Sequence, residues 1–490
     1  AWLACMAFEL LTEVVGACDV PGGLMGTNPV ADGYPETGLP RWAPFESVDG
    51  LMSPGVWAGA TGPGLRAGVP YPPREPQAPE LTNLTDLLCT GMSGHPSVMA
   101  MEDLDKFKIP YKPEMLLLYG TNLLYSLGNP EITANFLKQM YVVQVKLWLD
   151  ETSYFADMVL PDTCYLERLE PVPNNLVHHF PVGMGDWAHV IRQPVVDPPG
   201  ECRPFQEVMI ELAERVGFLP DMNSALNHYY GLQPPYALEL GERYTVEDIA
   251  DRIYKCWFGP EHGLEYMKEH GVIKWPKKVE EIYWKGFRHV RSPIYFAYMQ
   301  TAGEKIQAIL DELGVSDIDT GDYNALPGWK RCATLDAKDE EYDMQAIYHR
   351  VAHQQFSYTF QNPWLNEINA QDPYTNYISI NAETARRKGI ADGDDIWVRA
   401  KGAGSTLGVA KLVQGIHPEV VAIPNNGGHW AKGMPVAKDK GTFFEPLMTT
   451  DWAHTDPIVI ALDADAAVKI EKARPEDKNR SMRWGKKGER

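Results

Sequence analysis

The feature that most constrains the fold is a strand–helix–strand pattern between residues 114 and 160. An apolar run from Met115 to Tyr119 is followed by a helical segment from Glu131 to Met140 and then by a second apolar run, Tyr141 to Leu147. A third short run, Met158 to Leu160, completes the pattern. Strands joined in this way form a parallel sheet that is covered on both faces, so the pattern predicts an α/β region.

Polar residues follow the predicted strands at the points where parallel sheets bind ligands. Asn122 comes just after the first strand, and Glu151 and Thr152 follow the second, within a short helix or turn that ends at Asp157. Ligands of open parallel sheets bind beyond the carboxyl ends of the strands. We therefore expect these four residues to cluster at one edge of the sheet. The alternative is that Glu151 and Asp157 only cap the short helix.

The last third of the chain is mainly β. Six runs have strand character at the spacing of a barrel: Ala346–Val351, Tyr377–Asn381, Asp395–Ala400, Thr406–Val413, Val420–Ile423 and Ile458–Leu462. The predicted fold class is thus α/β, a parallel-sheet dinucleotide-binding region followed by a mainly β barrel.

Charge and hydropathy exclude two classes of partner. The net charge of −21 argues against a nucleic-acid-binding protein, which needs an electropositive face. No apolar stretch reaches the roughly 18 residues that a membrane span requires. We expect a cytoplasmic protein, and a periplasmic location stays open.

Cysteine and proline usage sets further limits. The seven cysteines include no Cys-x-x-Cys pair, so the sequence predicts no iron–sulfur or zinc site of its own. Residues 19–80 hold 12 prolines and 11 glycines, too many for regular helices or central strands. Five aromatic residues in that stretch indicate ordered irregular chain that wraps over a larger body.

Several motifs in series resemble those of the molybdopterin oxidoreductases, the dimethyl sulfoxide reductase family. Gly120-Thr121-Asn122 is followed by Val142-Val143, by the run Asp150 to Pro161 and by Glu167. Further matching segments are Pro21–Gly23, Ile191–Gln193, Pro199–Glu201, Asn381–Asp394 and Gly415–Val421. The resemblance covers residues 1–30, 115–217 and 345–465 in the order that the family has them.

The resemblance implies a bis-molybdopterin guanine dinucleotide cofactor (bis-MGD) with molybdenum or tungsten. In the α/β region it assigns cofactor binding to Gly120, Asn122, Gln144, Glu151, Thr152, Asp157 and Arg168. Glycine lets the backbone approach a phosphate, and carboxylates accept from the guanine N–H groups. In the barrel it assigns the same role to Arg350, His353, Gln354, Gln355, Ser357, Tyr358, Asn425, Asn426 and His429. We expect His353–Tyr358 and Asn425–His429 to lie on the same side of the barrel, although His353 taken alone fits a core histidine better than a ligand contact.

No residue of this sequence matches the metal-ligand position or a catalytic side chain of the family. The resemblance implies that a missing N-terminal half or a separate chain carries that ligand and a 4Fe-4S cluster, and that an iron–sulfur electron-transfer protein is a partner. The expected reaction is two-electron redox or oxygen-atom transfer, of the polysulfide or thiosulfate reductase type or the phenylacetyl-CoA oxidoreductase type. Two alternatives stay open: a tungsten hydratase of the acetylene hydratase type, and a non-catalytic subunit of the same fold.

The same reasoning divides the chain into six segments. These are 1–30, the end of a central α/β domain; 31–105, the irregular wrapping segment; 106–230, the α/β guanine dinucleotide-binding domain; 231–344, a mixed, partly helical insertion; 345–475, the β-barrel molybdopterin dinucleotide-binding domain; and 476–490, a polar tail.

Overall fold

The computed structural model describes residues 2–17, 95–108, 112–171, 186–276, 295–372, 374–425, 427–459, 461–475 and 477. The chain divides into two compact units. The first draws on residues 1–3, 80–160 and 297–490, and the second on 4–79 and 161–296. The boundary after residue 160 falls inside the segment 106–230, and the boundary after 296 falls inside 231–344.

Helices and strands both occur throughout the described residues. The α-helices are α1 (Trp2–Val14), α2 (His95–Ala100), α3 (Pro130–Leu137), α4 (Phe205–Val216), α5 (Leu219–Tyr230), α6 (Val246–Phe258), α7 (Leu264–His270), α8 (Ala297–Leu313), α9 (Ala333–Ala337), α10 (Pro363–Gln371) and α11 (Ala382–Arg387). The strands are β1 (Met115–Tyr119), β2 (Tyr141–Lys146), β3 (Met158–Pro161), β4 (Asp186–Val190), β5 (Val272–Pro276), β6 (Met344–His349), β7 (Ile378–Asn381), β8 (Asp395–Ala400), β9 (Ser405–Val413), β10 (Val420–Pro424) and β11 (Asp465–Lys472).

The sheet of the first unit has the order β1-β2-β3, with β1 and β2 parallel. Helix α3 connects these two strands, and Asn129 caps its N-terminus by accepting a hydrogen bond from the Glu131 amide. Leu118, Val142 and the inner face of α3 are buried together in one apolar core. The predicted strand–helix–strand unit is therefore present, with the carboxyl ends of β1 and β2 at one edge.

Asp157 does not lie at that edge. It is exposed, and its Oδ2 accepts a hydrogen bond of 2.7 Å from the amide of Val142, near the amino end of β2. The prediction that it clusters with Asn122, Glu151 and Thr152 is wrong. The reason is the direction of the chain, because the 3₁₀ helix Thr152–Phe155 carries the backbone back to the start of the sheet before β3 begins.

The barrel is closed, in the order β10-β6-β11-β8-β9-β7. Strands β6 and β10 are parallel neighbours, with Pro424 opposite His349. The loops that follow these two strands therefore leave the barrel on the same side, as predicted. Inward side chains such as Ile396, Val398 and Val468 are fully buried and fill its interior. The α/β region followed by a mainly β barrel confirms the predicted fold class.

One predicted barrel strand is wrong. In the described part of Ile458–Leu462 the only β pairing is an isolated bridge between Leu462 and Thr455. The strand that closes the barrel is β11, which pairs antiparallel with both β6 and β8. Its charged residues, such as Lys469 and Glu471, alternate with buried apolar ones, so it lacks the continuous apolar run of Ile458–Leu462.

Helix α1 is only partly buried. Met6 and Leu10 are its buried residues, whereas Phe8 and Val14 are 72% and 68% exposed. Most of the segment 31–105 lies outside the described residues, and its described end contains α2.

In the second unit, helices α4–α7 pack over the antiparallel pair of strands β4 and β5. Helix α6 starts with a capping box between Thr245 and Asp248 and buries Ile253 and Tyr254 completely. No helix among the described residues has the length and apolar character to cross a membrane.

Candidate functional site at the junction of sheet and barrel

Within the first unit, the Glu151 carboxylate joins the sheet to the barrel. It lies just after β2 and is completely buried. From the sheet side it accepts a hydrogen bond of 2.8 Å from Asn122 Nδ2. From the loop after β10 it accepts bonds from the amides of Trp430 (2.9 Å) and Ala431 (3.0 Å), and His429 Nδ1 lies 3.1 Å away.

These donors decide the charge of Glu151. Burial by itself would raise the pKa of this carboxyl group, because the charged form loses its hydration. The hydrogen bond and charge of His429, helped by the Ala431 amide and Asn122, outweigh burial and bring the pKa down to about 2. Glu151 is therefore a buried carboxylate throughout the physiological pH range.

Asn122 and Thr152 are occupied by the same network. Thr152 Oγ1 donates to Asn122 Oδ1 at 2.7 Å and accepts from the amide of Leu124 at 3.2 Å. Both residues are buried. The predicted clustering of Asn122, Glu151 and Thr152 is confirmed, and their polar atoms hold the sheet edge to the barrel loop. Their binding of a nucleotide stays a prediction.

The loop after β10 is fixed from several directions. The ring of Tyr125 stacks on His429 with the centroids 4.3 Å apart, and the Tyr125 hydroxyl donates to the Gly427 carbonyl. A Cβ on Gly433 would lie 2.2 Å from the carbonyl oxygen of Leu149, so only glycine permits this close approach of loop and sheet segment. The loop geometry is thus set by the sheet.

A second buried charge pair lies beside the first. Lys146, the last residue of β2, forms an ion pair with Asp150, and both side chains are almost completely buried. The Lys146 ammonium also donates to the Thr121 carbonyl at 2.7 Å and contacts the Tyr358 hydroxyl. Burial lowers the pKa of Lys146, and Asp150 and Glu151 offset part of that effect.

Gln144 belongs to this second network. It is fully buried on β2, where its Nε2 donates to Asp150 Oδ1 at 3.1 Å and its Oε1 accepts from Ser153 Oγ at 2.6 Å. Gln144 thereby holds Asp150 in position against Lys146.

Two family models match the chain. The model described as Molybdopterin oxidoreductase matches residues 88–215, and the model described as Molydopterin dinucleotide binding domain matches residues 345–443. Two domains of the molybdopterin oxidoreductases are therefore present in this chain. The sheet with its carboxyl-terminal edge falls within the first match. The second match covers β6 from its second residue and strands β7 to β10 with their loops.

Curated molybdopterin oxidoreductases of known activity are similar to this chain at low identity. A sulfite dehydrogenase subunit from Allochromatium vinosum is 23% identical over 66% of this chain and 37% of its own length. The molybdopterin-containing subunit of thiosulfate reductase from Salmonella typhimurium is 26% identical over 58% and 33%. That of arsenate respiratory reductase from Chrysiogenes arsenatis is 24% identical over 96% and 56%.

The chain thus spans about a third to a half of the length of these relatives. Among solved structures, acetylene hydratase from Pelobacter acetylenicus has a TM-score of 0.49 at 18% identity, over 77% of this chain and 46% of that chain.

The barrel rim carries polar side chains that fit a pterin. After β6, both His353 Nε2 (2.6 Å) and Gln354 Nε2 (2.9 Å) contact the Oδ1 of Asn369, on α10. Gln354 Oε1 and Asn369 Nδ2 are buried without a hydrogen-bond partner among the described residues. The same is true of Asn425 Oδ1, next to the end of β6, where the Asn425 amide donates to the His349 carbonyl.

Unsatisfied buried polar atoms cost about 1–3 kcal/mol each, so a partner for them is stabilising. A pterin presents alternating donors and acceptors along its edge, and the rim offers one unused donor and two unused acceptors. The donor set of the rim therefore suits the family's cofactor.

The remaining predicted residues have more varied surroundings. Gly120 is exposed with φ +62°, a conformation that favours glycine. Apart from its chain neighbours, no atom of the described residues lies within 4 Å of a Cβ placed there. Arg350 is exposed, with its guanidinium 5.7 Å from the Phe356 ring centroid, and Gln355 is exposed too. The Ser357 side chain and Asn426 lie outside the described residues. The cofactor contacts of all these residues stay predictions.

Arg168 belongs to the second unit, where it forms ion pairs with Glu170 (2.6 Å) and Asp162 (3.3 Å). Burial raises the pKa of Asp162, and Arg168 offsets part of that effect. The cofactor contact of Arg168 stays a prediction.

Sequence reasoning missed Lys146, Asp150, Tyr125 and Asn369. A lysine that ends an apolar strand four residues before an aspartate was a usable signal for the first pair, since lysine is rarely buried unless it is paired. Tyr125 and Asn369 gave no such signal, because their roles depend on contacts with distant segments. Among the described residues, no group of three or more His, Cys, Asp or Glu is placed to hold a metal ion.

Proposed function

We propose that this chain is part of the catalytic subunit of a molybdenum- or tungsten-dependent oxidoreductase. It binds part of a bis-MGD cofactor at the junction of sheet and barrel. The family membership and the polar barrel rim support this function, and the unsatisfied rim atoms of Gln354, Asn369 and Asn425 carry it.

The residues of the chain bind and orient the cofactor. Gln354, Asn369 and Asn425 would hold a pterin edge, and the exposed backbone at Gly120 would lie against the dinucleotide phosphates or sugar. Glu151 and Lys146 keep the sheet edge and the barrel loops in register through buried charges. When bound, the metal centre of the cofactor supplies the exchange of two electrons or an oxygen atom with the substrate.

We propose a small inorganic oxyanion as the substrate. The relatives are named for sulfite, thiosulfate and arsenate, and a selenate reductase and a periplasmic nitrate reductase also match the chain. All five are oxyanions, which favours this class over a coenzyme A ester.

We also propose that electrons leave through iron–sulfur clusters held by other parts of the enzyme. The relatives sulfite dehydrogenase and thiosulfate reductase are named as subunits, so we expect partner chains here as well. The ligand of the metal would come from one of those parts.

The decisive experiment is metal and nucleotide analysis of the natively purified protein. We expect molybdenum or tungsten together with GMP that is released by acid hydrolysis. Asn369→Leu, which removes both amide atoms from the rim, should lower the GMP content severalfold. Ile368→Ala, on the outer face of the same helix, is the matched control and should retain it. If the natively purified protein contains neither metal nor GMP, the proposal is wrong. If both variants contain equal amounts of GMP, the barrel rim does not contribute to cofactor binding.

A further inference from the structure

Tyr358, Lys146 and Asp150 form a continuous chain from the barrel rim into the sheet. Tyr358 is half-buried in the 3₁₀ helix Ser357–Gln361, which follows the loop after β6. Its hydroxyl contacts the Lys146 ammonium, which lies 4.6 Å from the centroid of the phenol ring. Behind the ammonium, Asp150 completes an ion pair in which the side chains are 1% and 0% exposed.

The position of the ammonium has a chemical consequence for the phenol. Lys146 has only donors, so Tyr358 must accept its hydrogen bond through the phenol oxygen. A cation that donates to this oxygen stabilises the phenolate more than the phenol, and this favours release of the proton. Because the cation is buried, solvent screens the effect little.

Asp150 favours the charged form of the lysine and holds it in place. An isolated ammonium would lose its proton on burial, but the carboxylate beside it favours the charged form. Gln144 and Ser153 hold Asp150 from its other side, at 3.1 and 3.2 Å from its Oδ1. The lysine therefore has few ways to move away from Tyr358.

We propose that Tyr358 is an activated phenol, a proton donor and acceptor at the barrel rim whose acidity is set by Lys146 and Asp150. The activation of the phenol is independent of the proposed function. Its use on a bound oxyanion rests on that function. The family matches do not assign a proton-transfer role to any of these three residues.

The proton transfer is balanced without a redox partner. In the donor direction, the Tyr358 O–H bond breaks and the proton goes to an anionic oxygen of the bound oxyanion. The phenolate that remains is held by the ammonium, and a proton from solvent water restores the phenol. In the acceptor direction, the same steps run in reverse.

Several charged groups set the pH at which the phenol titrates. Lys146, on β2, lowers that pH. Asp150 and Glu151, from the segment after β2, raise it by partly neutralising the ammonium. Trp148 packs beside the phenol ring with the centroids 5.8 Å apart and adds no charge.

The test is the ultraviolet titration of tyrosinate in the purified protein, taken as wild type minus Tyr358→Phe so that one of 23 tyrosines is isolated. We expect a midpoint at least one pH unit below the ordinary value of about 10, a tenfold stronger acid. Lys146→Met should raise the midpoint to 10 or above, and Lys146→Arg, which retains the cation, should keep it low. Tyr141→Phe, which removes an exposed tyrosine, should leave the low-pH signal in place.

A wild-type midpoint at or above 10 overturns the activation. This decision needs only Tyr358→Phe, which removes a single hydroxyl, so it stands even if Lys146→Met does not fold. In the cofactor-loaded enzyme, Tyr358→Phe should lower kcat with little change in KM and should alter the pH profile. If kcat of Tyr358→Phe is unchanged while the titration midpoint is low, proton transfer to the substrate is wrong and the activation of the phenol stands. Absence of cofactor would instead contradict the proposed function.

Discussion

At the scale of single residues, the junction depends on carboxylates whose charge is set by their surroundings. Glu151 is kept ionised by four donors despite complete burial. Glu445, in the 3₁₀ helix Glu445–Leu447, has the opposite fate, because burial raises its pKa to about 8 and its two backbone hydrogen bonds offset only part of this. The two groups predict opposite dependences of stability on pH.

Glu151→Gln should destabilise the protein by about 3 kcal/mol at neutral pH, because it leaves His429 and two amides with a weaker, neutral acceptor. The folded-state pKa of about 2 lies below the ordinary 4.5. The stabilisation is therefore complete above about pH 4.5 and is lost as the pH falls towards 2. Denaturant unfolding at pH 7 and pH 3 measures both values. Glu304→Gln, at an exposed position on α8, is the control, and a cost equal to that control would refute the role of Glu151.

Glu445→Gln should stabilise the protein at alkaline pH. The folded-state pKa of about 8 lies above 4.5, so wild-type stability declines as the pH rises from 4.5 through 8. The glutamine variant has no proton to lose, and we expect a gain of about 2–4 kcal/mol at pH 9. Thermal unfolding at pH 5 and pH 9 gives the comparison. A gain of the same size at both pH values would show that burial of the charge is not the cause.

At the scale of elements, helix α10 reverses the usual amphipathic arrangement. Asn366 and Asn369 are buried, whereas Trp364 and Ile368 are 80% and 47% exposed. Asn366 Nδ2 donates to the Phe360 carbonyl at 2.7 Å, and its Oδ1 accepts from Lys440 at 2.6 Å. The helix is thus held to the barrel loops by amides and not by apolar packing.

Asn366→Ala should therefore lower the free energy of unfolding by about 1–3 kcal/mol, because it leaves the Phe360 carbonyl and the Lys440 ammonium without their hydrogen-bond partner. Ile368→Ala, two positions further along the same helix, should cost less than about 0.5 kcal/mol because its side chain is largely in solvent. Equilibrium unfolding of both variants checks the difference. If Ile368→Ala is the more costly change, apolar packing holds this helix after all.

At the scale of the whole molecule, the first unit brings a sheet and a barrel together around one polar junction, within a chain that spans a third to a half of its relatives' length. We propose that another chain or segment supplies the metal ligand.

Residues 1–490 expressed alone should accordingly bind metal substoichiometrically and show no turnover. Coexpression with a chain that carries the iron–sulfur region should restore both. Metal analysis, GMP release and a dye-linked redox assay on the two preparations make the comparison. Stoichiometric metal with turnover in residues 1–490 alone would contradict the prediction.

The order of sheet and barrel, and most of their strands, could be predicted from the amino-acid pattern. Continuous apolar runs such as Met115–Tyr119 specified parallel strands, although one face of this strand is exposed. The residues beyond the strand ends predicted a polar cluster at one edge of the sheet, because strand direction fixes which ends meet. The loops after β6 and β10 were expected on one side of the barrel because the resemblance assigns both of them to the cofactor. The strand Asp465–Lys472 was not predicted, because its alternation of apolar and charged residues is a weaker signal than the apolar run Ile458–Leu462.

Tertiary structure alone decided what the polar residues do. Glu151 and Asp157 are six positions apart and looked equivalent, yet one is buried at the carboxyl edge and the other is exposed at the amino edge. Glu151 meets His429, and Lys146 meets Tyr358, across 278 and 212 residues of sequence. Local periodicity carries no information about such contacts. They exist because the folded chain brings two separate loops within hydrogen-bonding distance, where a buried charge is stable only when it is paired.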